Sequence, residues 1–182
     1  MWIRAAVAED SEAIWGIFHE VVSPGDTYAY APDTSRSEAL RHWIEEPQST
    51  DVAEGEGGVV GTYCLKPNQP GLGSHVCNAA YMVTSRARGQ GVGRAMCEHS
   101  MAEARRLGYR AMQYNLVVAT NEGAIRLWER MGFTITGRSP EAFLHAQHGF
   151  VDAVVMYRLH LVTGVTDTLG AAHLPLRIDS GC

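Results

Sequence analysis

The sequence lacks the features that mark several large classes of protein. It has four cysteines in 182 residues, and none of them forms a Cys-x-x-Cys pair, so the usual spacing of zinc and redox sites is missing. The start of the chain lacks the long apolar stretch of a signal peptide, and no segment is long and apolar enough to cross a membrane. We therefore expect a cytoplasmic protein with reduced cysteines and no membrane partner.

An excess of positive charge is also missing. The chain has 15 Lys and Arg against 20 Asp and Glu, a formal net charge of −5, which argues against a nucleic-acid partner. Hydrophobic residues make up 46% of the chain, which is enough for a sizeable core. The length suits one domain, which we place at residues 1–162, and the pattern of apolar residues fades in a C-terminal tail at 163–182.

The order of local patterns predicts a mixed sheet covered by helices. Strand-like and helix-like segments follow one another as β-α-α-β-β-β-α-β-α-β-β, which combines hairpins with crossovers. Asp10 is expected to cap the first helix, and the spacing of Ser35 and Glu38 is that of a capping box at the second. The last two strands are expected to be joined by a long connection at 139–150.

One turn rich in glycine and arginine stands between a strand-like run at 76–83 and a helix-like run at 92–107. Its glycines occupy alternating positions and are flanked by basic side chains: Arg88, Gly89, Gly91, Gly93 and Arg94. Glycine lets a ligand approach the backbone closely, and the N–H groups at a helix N-terminus attract anions. The turn is interpreted as a pyrophosphate cradle, with a plain tight turn as the alternative.

Two motifs together resemble those of the GNAT N-acetyltransferases. The turn resembles the family's Arg/Gln-x-x-Gly-x-Gly/Ala signature, and a second signature is matched by Asn121-x-x-Ala124-x-x-Leu127-Trp128-x-x-x-Gly132-Phe133. The resemblance covers residues 2–160. It implies the GNAT fold, an α+β architecture with a mixed central sheet of about seven strands, helices on both faces and splayed parallel strands 4 and 5. It also implies an acetyltransferase of the EC 2.3.1 class that uses acetyl-CoA as cosubstrate.

The resemblance assigns the acetyl-CoA site to the gap between the strands at 74–83 and 110–118. The pyrophosphate would meet the backbone N–H groups of Gly89, Gly91, Val92, Gly93 and Arg94, and the Arg88 and Arg94 side chains would add charge. The Val83 backbone would bind the pantetheine arm and polarise the thioester carbonyl, a catalytic role. Asn121 would bond to the arm and Ala124 would let it pass; a helix cap is the alternative for Asn121.

Trp128 is the main departure from the family pattern. Many members have a Tyr at this position, whose hydroxyl protonates the leaving thiolate, whereas an indole N–H is not an acid near neutral pH. Trp128 is therefore expected to pack against the cofactor, with a possible hydrogen bond. The thiolate would then take its proton from water or from the amine.

The general base is not evident, since the strand at 74–83 carries no carboxylate. Asn78 and Asn115 lie on the two neighbouring strands and would bind the substrate or hold a water that carries the proton away; the alternative is local hydrogen bonding. His75 is a base by type, but a half-buried structural His is favoured. Cys77 lacks an activating partner, so a covalent step is not expected.

The assignment of residues to the acceptor pocket rests on weaker sequence patterns. Tyr28 and Tyr30 precede a capped helix as in phosphinothricin-type acetyltransferases, and the runs at 66–68 and 74–79 resemble yeast azetidine-2-carboxylate acetyltransferases. His145 and His148 lie on the last connection, expected to overhang the acceptor pocket without a metal.

The favoured function is transfer of acetyl from acetyl-CoA to the amine of a small molecule, an amino acid or imino-acid analogue, by direct attack in a ternary complex. The alternatives are acetylation of a protein N-terminus or lysine, and a non-catalytic acetyl-CoA-binding domain. Because family members commonly pair, a homodimer is a further expectation.

Overall fold

A computed structural model describes residues 1–159, which form a seven-stranded sheet in the order β1-β2-β3-β4-β5-β7-β6. The elements are β1 (Trp2–Ala5), α1 (Ser11–Val22), α2 (Arg36–Leu40), β2 (Ser49–Gly55), β3 (Gly58–Pro67), β4 (Val76–Val83), α3 (Val92–Arg106), β5 (Ala111–Val118), α4 (Glu122–Arg130), β6 (Thr134–His145) and β7 (Gly149–Leu159). The predicted element order and the α+β fold class are confirmed. The boundary expected at residue 162 and the tail lie outside the described residues.

Helices cover both faces of the sheet. Alternate residues of β4 point to opposite faces. Cys77 and Ala79 join a core that contains α3 and α4 side chains, whereas Met82 joins a second core that contains α1 and α2 side chains. The sheet therefore has an α3–α4 face and an α1–α2 face. None of the helices within residues 1–159 is both long enough and apolar enough to span a membrane.

Strands β4 and β5 pair in parallel over a short distance only. Their register runs from Val76 opposite Ala111 to Asn78 opposite Gln113, and every other neighbouring pair of strands is antiparallel. Beyond that point β5 contains a bulge between Tyr114 and Val117, where its pairing with β7 slips. A bulge bends its strand, so β5 turns away from β4. The predicted splay of the two parallel strands is confirmed.

The long connection expected at 139–150 is wrong. Strand β6 continues to His145, and a tight turn leads directly into β7 at Gly149. A register shift between Ser139 and Phe143 hides the alternation of apolar residues that would have marked the strand in the sequence. The Asp152 carboxylate holds this irregular part, since it accepts the Glu141 N–H at 3.1 Å and pairs with Arg138 at 2.9 Å.

Asp10 does not cap α1 as expected. Its side chain makes no bond to the first turn of α1; it accepts the Val7 N–H at 2.8 Å and pairs with the Arg4 guanidinium at 2.6 and 2.9 Å. Arg4 also binds Glu54 on β2 at 2.8 Å. Tertiary pairing therefore displaces the local cap. The capping box at Ser35 and Glu38 is confirmed.

This charge cluster predicts a loss of stability in acid. Hydrogen bonding to Arg4 lowers the pKa of Asp10 and of Glu54. Both carboxylates therefore stabilise the fold above the ordinary carboxyl pKa of about 4. This stabilisation is lost as the pH falls through their lower pKa values in the folded protein. We expect Arg4→Gln to unfold at lower urea concentration than wild type at pH 7. Urea titrations should show that difference shrinking below about pH 4; a constant difference would contradict the linkage.

Candidate active site

A cavity of about 370 Å³ opens where β4 and β5 separate. It reaches both faces of the sheet, because residues of the α1–α2 face and residues of α4 share its wall. The lining residues are Thr27, Tyr28, Ala29, Tyr30, His42, Cys64, Lys66, Asn78, Ala79, Ala80, Tyr81, Tyr114, Asn115, Leu116, Val117, Val118, Asn121, Ala124 and Trp128. The separation of two strands thus creates a passage through the sheet.

The glycine turn has the backbone geometry of an anion site. Gly89 and Gly91 have φ of 75° and 81°, and a Cβ at either position would meet nothing within 4 Å. Helix α3 begins after Gly91 without a side-chain cap, so the first-turn N–H groups at Val92, Gly93 and Arg94 are open to a ligand. The turn would hold a pyrophosphate through these groups.

The other polar side chains around the turn differ in whether a protein partner already occupies them. The buried hydroxyl of Thr84 has no hydrogen-bond partner among the described residues, whereas the Arg94 guanidinium pairs with Glu98 at 2.9 Å. Arg88 is exposed and lines a second cavity of about 450 Å³. Of the two predicted arginines, Arg88 is therefore the one whose side chain faces open space near the passage.

The second signature forms the wall opposite the turn. Asn121 Oδ1 accepts the Ala124 N–H at 3.1 Å and so caps α4, and Asn121 lines both cavities. Ala124 lines the first cavity, and Gly93 lies close to Leu127, since a Cβ there would stand 3.4 Å from Leu127 Cδ2. The helix cap and a contact to a ligand are compatible for Asn121.

Trp128 packs against two tyrosines of β4 and β5, and its contact with the cofactor stays a prediction. It is 8% exposed, and its ring centroid lies 5.0 Å from those of Tyr81 and Tyr114. The Tyr81 hydroxyl hydrogen-bonds with Ser100 at 2.7 Å and with Tyr114 at 3.2 Å. Burial raises the pKa of both phenols well above the usual value, so they stay protonated at neutral pH.

The open edge of β4 is occupied by a tyrosine hydroxyl. Tyr28 Oη accepts the Tyr81 N–H at 3.0 Å and donates to the Tyr81 carbonyl at 2.6 Å. The Thr84 N–H points the other way, to Val60 on β3. Because backbone groups alternate along a strand, the Val83 N–H lies on the same edge as that of Tyr81. Val83 itself lines neither cavity; Tyr81 lines both and was missed in the sequence.

The two asparagines converge on Gln113 at the last rung of the β4–β5 ladder. Asn78 Nδ2 donates to the Gln113 carbonyl at 3.0 Å, and Asn115 Oδ1 accepts from Gln113 Nε2 at 2.8 Å. Both asparagines line the passage. Each therefore has the local hydrogen bond of the structural interpretation and a place in the cavity wall.

The predicted acceptor residues lie on two sides of the passage. Tyr30 lines the first cavity, His145 the second, and Tyr28 both. His145 ends β6 and is buried, and its ring lies against that of His148 at a tilt of 42°, with centroids 4.5 Å apart. The turn after it contacts the α1–α2 connection, since the Ala146 N–H donates to the Gly25 carbonyl at 3.0 Å. Residues 1–159 hold no cluster of three or more potential metal ligands.

Two residues weighed as catalytic groups lie away from the passage. His75 is exposed rather than half-buried, and it interacts with the Leu72 carbonyl at 3.1 Å. Cys77 is fully buried, and burial raises the pKa of its thiol to about 12, so it is not a nucleophile at neutral pH. Lys66 and His42, which were not predicted as site residues, do line the cavity. The alternation of β3 would have placed Lys66 on the α1–α2 face.

Comparisons with known proteins agree with this geometry. Residues 13–133 match the profile of the Acetyltransferase (GNAT) family. The N-acetyltransferase aca1 of Schizosaccharomyces pombe is 40% identical over 103 residues, which cover 56% of this chain and about half, 49%, of that protein.

Two solved structures share the fold over most of the chain. A GCN5-related N-acetyltransferase from Kribbella flavida is 44% identical with a TM-score of 0.83, covering 87% of this chain and 97% of that one. The Salmonella typhimurium acetyltransferase yncA, solved with its cofactor acetyl-CoA, is 25% identical with a TM-score of 0.79, covering 92% and 98%. The profile match, the signatures and the splayed strands together place this chain in the GNAT family of N-acetyltransferases.

Proposed function

We propose that this protein transfers the acetyl group of acetyl-CoA to the amine of a small molecule of the amino-acid or imino-acid type. The observation that carries the proposal is the continuous passage between β4 and β5. Asn121, Ala124 and Trp128 line it from α4, and Tyr30 and Asn78 line it on the α1–α2 side. A donor and an acceptor would therefore meet in the gap from opposite faces of the sheet.

The donor side fits coenzyme A. The open N–H groups after Gly91, the exposed Arg88 and the Asn121 amide form one path from the glycine turn to the gap. The pyrophosphate would bind at the turn, and the arm would pass Ala124 and Trp128. The acetyl-CoA bound to yncA, which shares the fold, supports this assignment.

The chemistry would be a direct attack. The amine nitrogen attacks the thioester carbonyl carbon, the new C–N bond forms, and the C–S bond breaks with its electron pair on sulfur. The Val83 N–H would polarise the thioester carbonyl from the edge of β4 where Tyr28 already takes the Tyr81 N–H, and one preset donor of this kind typically contributes about 2.7–4 kcal/mol to the transition state. Asn78 and Asn115 would hold the water that removes the amine proton. The buried, protonated Cys77 argues against an acetyl-enzyme intermediate.

The acceptor side favours a small molecule over a protein. The connection between α1 and α2 covers the cavity. Its Tyr28 hydroxyl hydrogen-bonds with the Tyr81 backbone on β4, and its Gly25 carbonyl accepts the Ala146 N–H of the β6–β7 turn. A cavity of about 370 Å³ is within the range of small-ligand sites, whereas a peptide would need an open groove.

The direct test is a panel of amino acids and amine xenobiotics with acetyl-CoA, read by release of free thiol. Turnover of small amines, with much weaker turnover of peptides, is the expected result. Tight acetyl-CoA binding without turnover of any acceptor would instead indicate a binding domain. Preferential acetylation of peptide N-termini or lysines would overturn the small-molecule assignment.

Asn115→Ala is expected to lower kcat by roughly tenfold, about 1.4 kcal/mol of activation free energy, while acetyl-CoA affinity stays nearly constant. The physical reason is that Asn115 faces the gap and lies away from the glycine turn. Steady-state kinetics and calorimetry with acetyl-CoA measure the two quantities. Gln113→Ala serves as the control, because it removes the Asn115 bond without removing the Asn115 amide. An unchanged kcat would make Asn115 purely structural.

A further inference from the structure

Lys66 is the only lysine in the chain, since all other basic residues among the 15 Lys and Arg are arginines. Among residues 1–159 it is also the one Lys or Arg in the wall of the passage. Lysine differs from arginine in presenting a compact point charge on a flexible stem. The passage therefore contains a kind of cation that the chain uses nowhere else.

The strand register places Lys66 beside the gap. It lies near the end of β3, directly opposite Asn78 on β4. Side chains of such a cross-strand pair have Cβ atoms roughly 4.5–5.5 Å apart on one face of the sheet. Tyr30 and His42 line the cavity on the same α1–α2 side. Lys66 thus lies among polar side chains that are able to donate hydrogen bonds.

No carboxylate balances this charge in the cavity wall. The lining drawn from residues 1–159 contains no Asp or Glu, and within that range Lys66 forms no ion pair. Glu46 is near enough for Lys66 to contribute to its lowered pKa, but its carboxylate is engaged by His42 at 3.0 Å and by Arg41 at 3.7 Å. A bound acceptor that carried only a positive amine would be repelled here.

We propose that Lys66, with Asn78 and Tyr30, forms a subsite for a carboxylate carried by the acceptor next to its amine. This inference rests on the proposed function and names the residues that would recognise the carboxylate of such an acceptor. The ammonium group offsets the acceptor's negative charge, and the Asn78 amide and Tyr30 hydroxyl supply neutral donors. The carboxylate would anchor the acceptor on the α1–α2 side with its amine toward the gap.

The first test does not depend on turnover. Protein grown with 13C-labelled lysine carries one labelled side chain, so its Cε signal in an NMR spectrum reports Lys66 alone, and Lys66→Gln confirms the assignment by removing it. Azetidine-2-carboxylate and its carboxamide, which differ only in the charged group, are titrated in turn. We expect the acid to shift the signal and the amide to leave it in place. Equal shifts, or none, overturn the subsite.

The second test compares the same two acceptors in the acetyl-transfer assay. Loss of a hydrogen bond to a charged group should lower the ratio of kcat/KM for acid over amide by about 10–100-fold in Lys66→Gln. Lys66→Arg, which keeps the charge, should retain most of the ratio. Arg126→Gln on the exposed face of α4 is the surface-charge control. An unchanged ratio in Lys66→Gln overturns the inference and leaves the proposed function standing.

The two experiments distinguish failure of the carboxylate subsite from failure of the proposed function. If the Lys66 signal responds to the acid alone but wild type acetylates neither compound, the subsite is supported and azetidine-type acceptors are excluded as substrates. If wild type acetylates both compounds equally and the signal does not respond, the transfer activity stands and the carboxylate subsite is refuted.

Discussion

Gly91→Val should weaken acetyl-CoA binding by roughly 100-fold, as measured by calorimetry. Gly91 holds φ at 81° where the turn meets α3, a conformation that a β-branched residue adopts only under strain. Relief of that strain would re-aim the N–H groups at the start of the helix. Loss of two charge-assisted hydrogen bonds at about 1.5 kcal/mol each corresponds to that factor.

Gly57→Val is the matched control for this prediction. Gly57 has φ of 91° in the β2–β3 turn, and, like Gly91, a Cβ there would meet nothing within 4 Å. Both variants should lose a similar 1–2 kcal/mol or so of stability from the positive φ. Only Gly91→Val should lose affinity for acetyl-CoA. Equal affinity losses in the two variants would mean that the turn acts through stability rather than as a cradle.

Trp43→Ala should destabilise the protein by about 3–5 kcal/mol, the cost of removing a buried aromatic side chain. Trp43 is fully buried, and its ring meets those of Phe18 and Tyr28 edge-on, with centroids 6.0 Å away in each case. Its indole N–H donates to Thr62 Oγ1 at 3.0 Å. Because Tyr28 rests on Trp43, the substitution should also loosen the cover of the acceptor cavity. Urea unfolding and KM for the acceptor measure the two effects.

Two further variants separate volume from hydrogen bonding in that result. Trp43→Phe keeps most of the ring but leaves the buried Thr62 hydroxyl without its donor, so a smaller loss of about 1–3 kcal/mol is expected. Trp2→Ala removes a tryptophan that is 62% exposed, and its effect should stay within about 1 kcal/mol. If Trp43→Ala cost no more than Trp2→Ala, Trp43 would not be a core residue.

Local sequence patterns predicted the helices and strands well where apolar residues recurred regularly and where capping residues or glycines marked the ends of the elements. The capping box at Ser35 and Glu38 formed, and the glycine turn lies between a strand and a helix as its neighbours indicated. Prediction failed where a partner outside the element outcompeted one within it. The Asp10 carboxylate pairs with Arg4 on β1 rather than with the first turn of α1, and the irregular end of β6 is stabilised by pairing with β7 and by Asp152.

The residues of the candidate site divide in the same way, into those predicted from contiguous motifs and those brought together by contacts between separate segments. Arg88, Asn121, Ala124 and Trp128 came from contiguous motifs, and each lines a cavity beside the splayed strands. Lys66, His42 and Tyr81 were not assigned to the site, and neither the Lys66–Asn78 pair nor the contact of Tyr28 with Tyr81 was evident from the sequence. Lys66 faces Asn78 through the β3–β4 register, and Tyr28 reaches Tyr81 across 53 positions of the chain.

The order of elements, the family resemblance and the position of the glycine turn follow from short stretches of neighbouring residues. The place where the passage opens and the polar groups that face it follow from the packed fold. Those depend on the strand pairing, on the β5 bulge that ends the β4–β5 ladder at Asn78 and Gln113, and on the Tyr28 hydroxyl that takes the free edge of β4. These features depend on hydrogen bonds between residues far apart in the chain, and no motif of neighbouring residues shows which of them will meet.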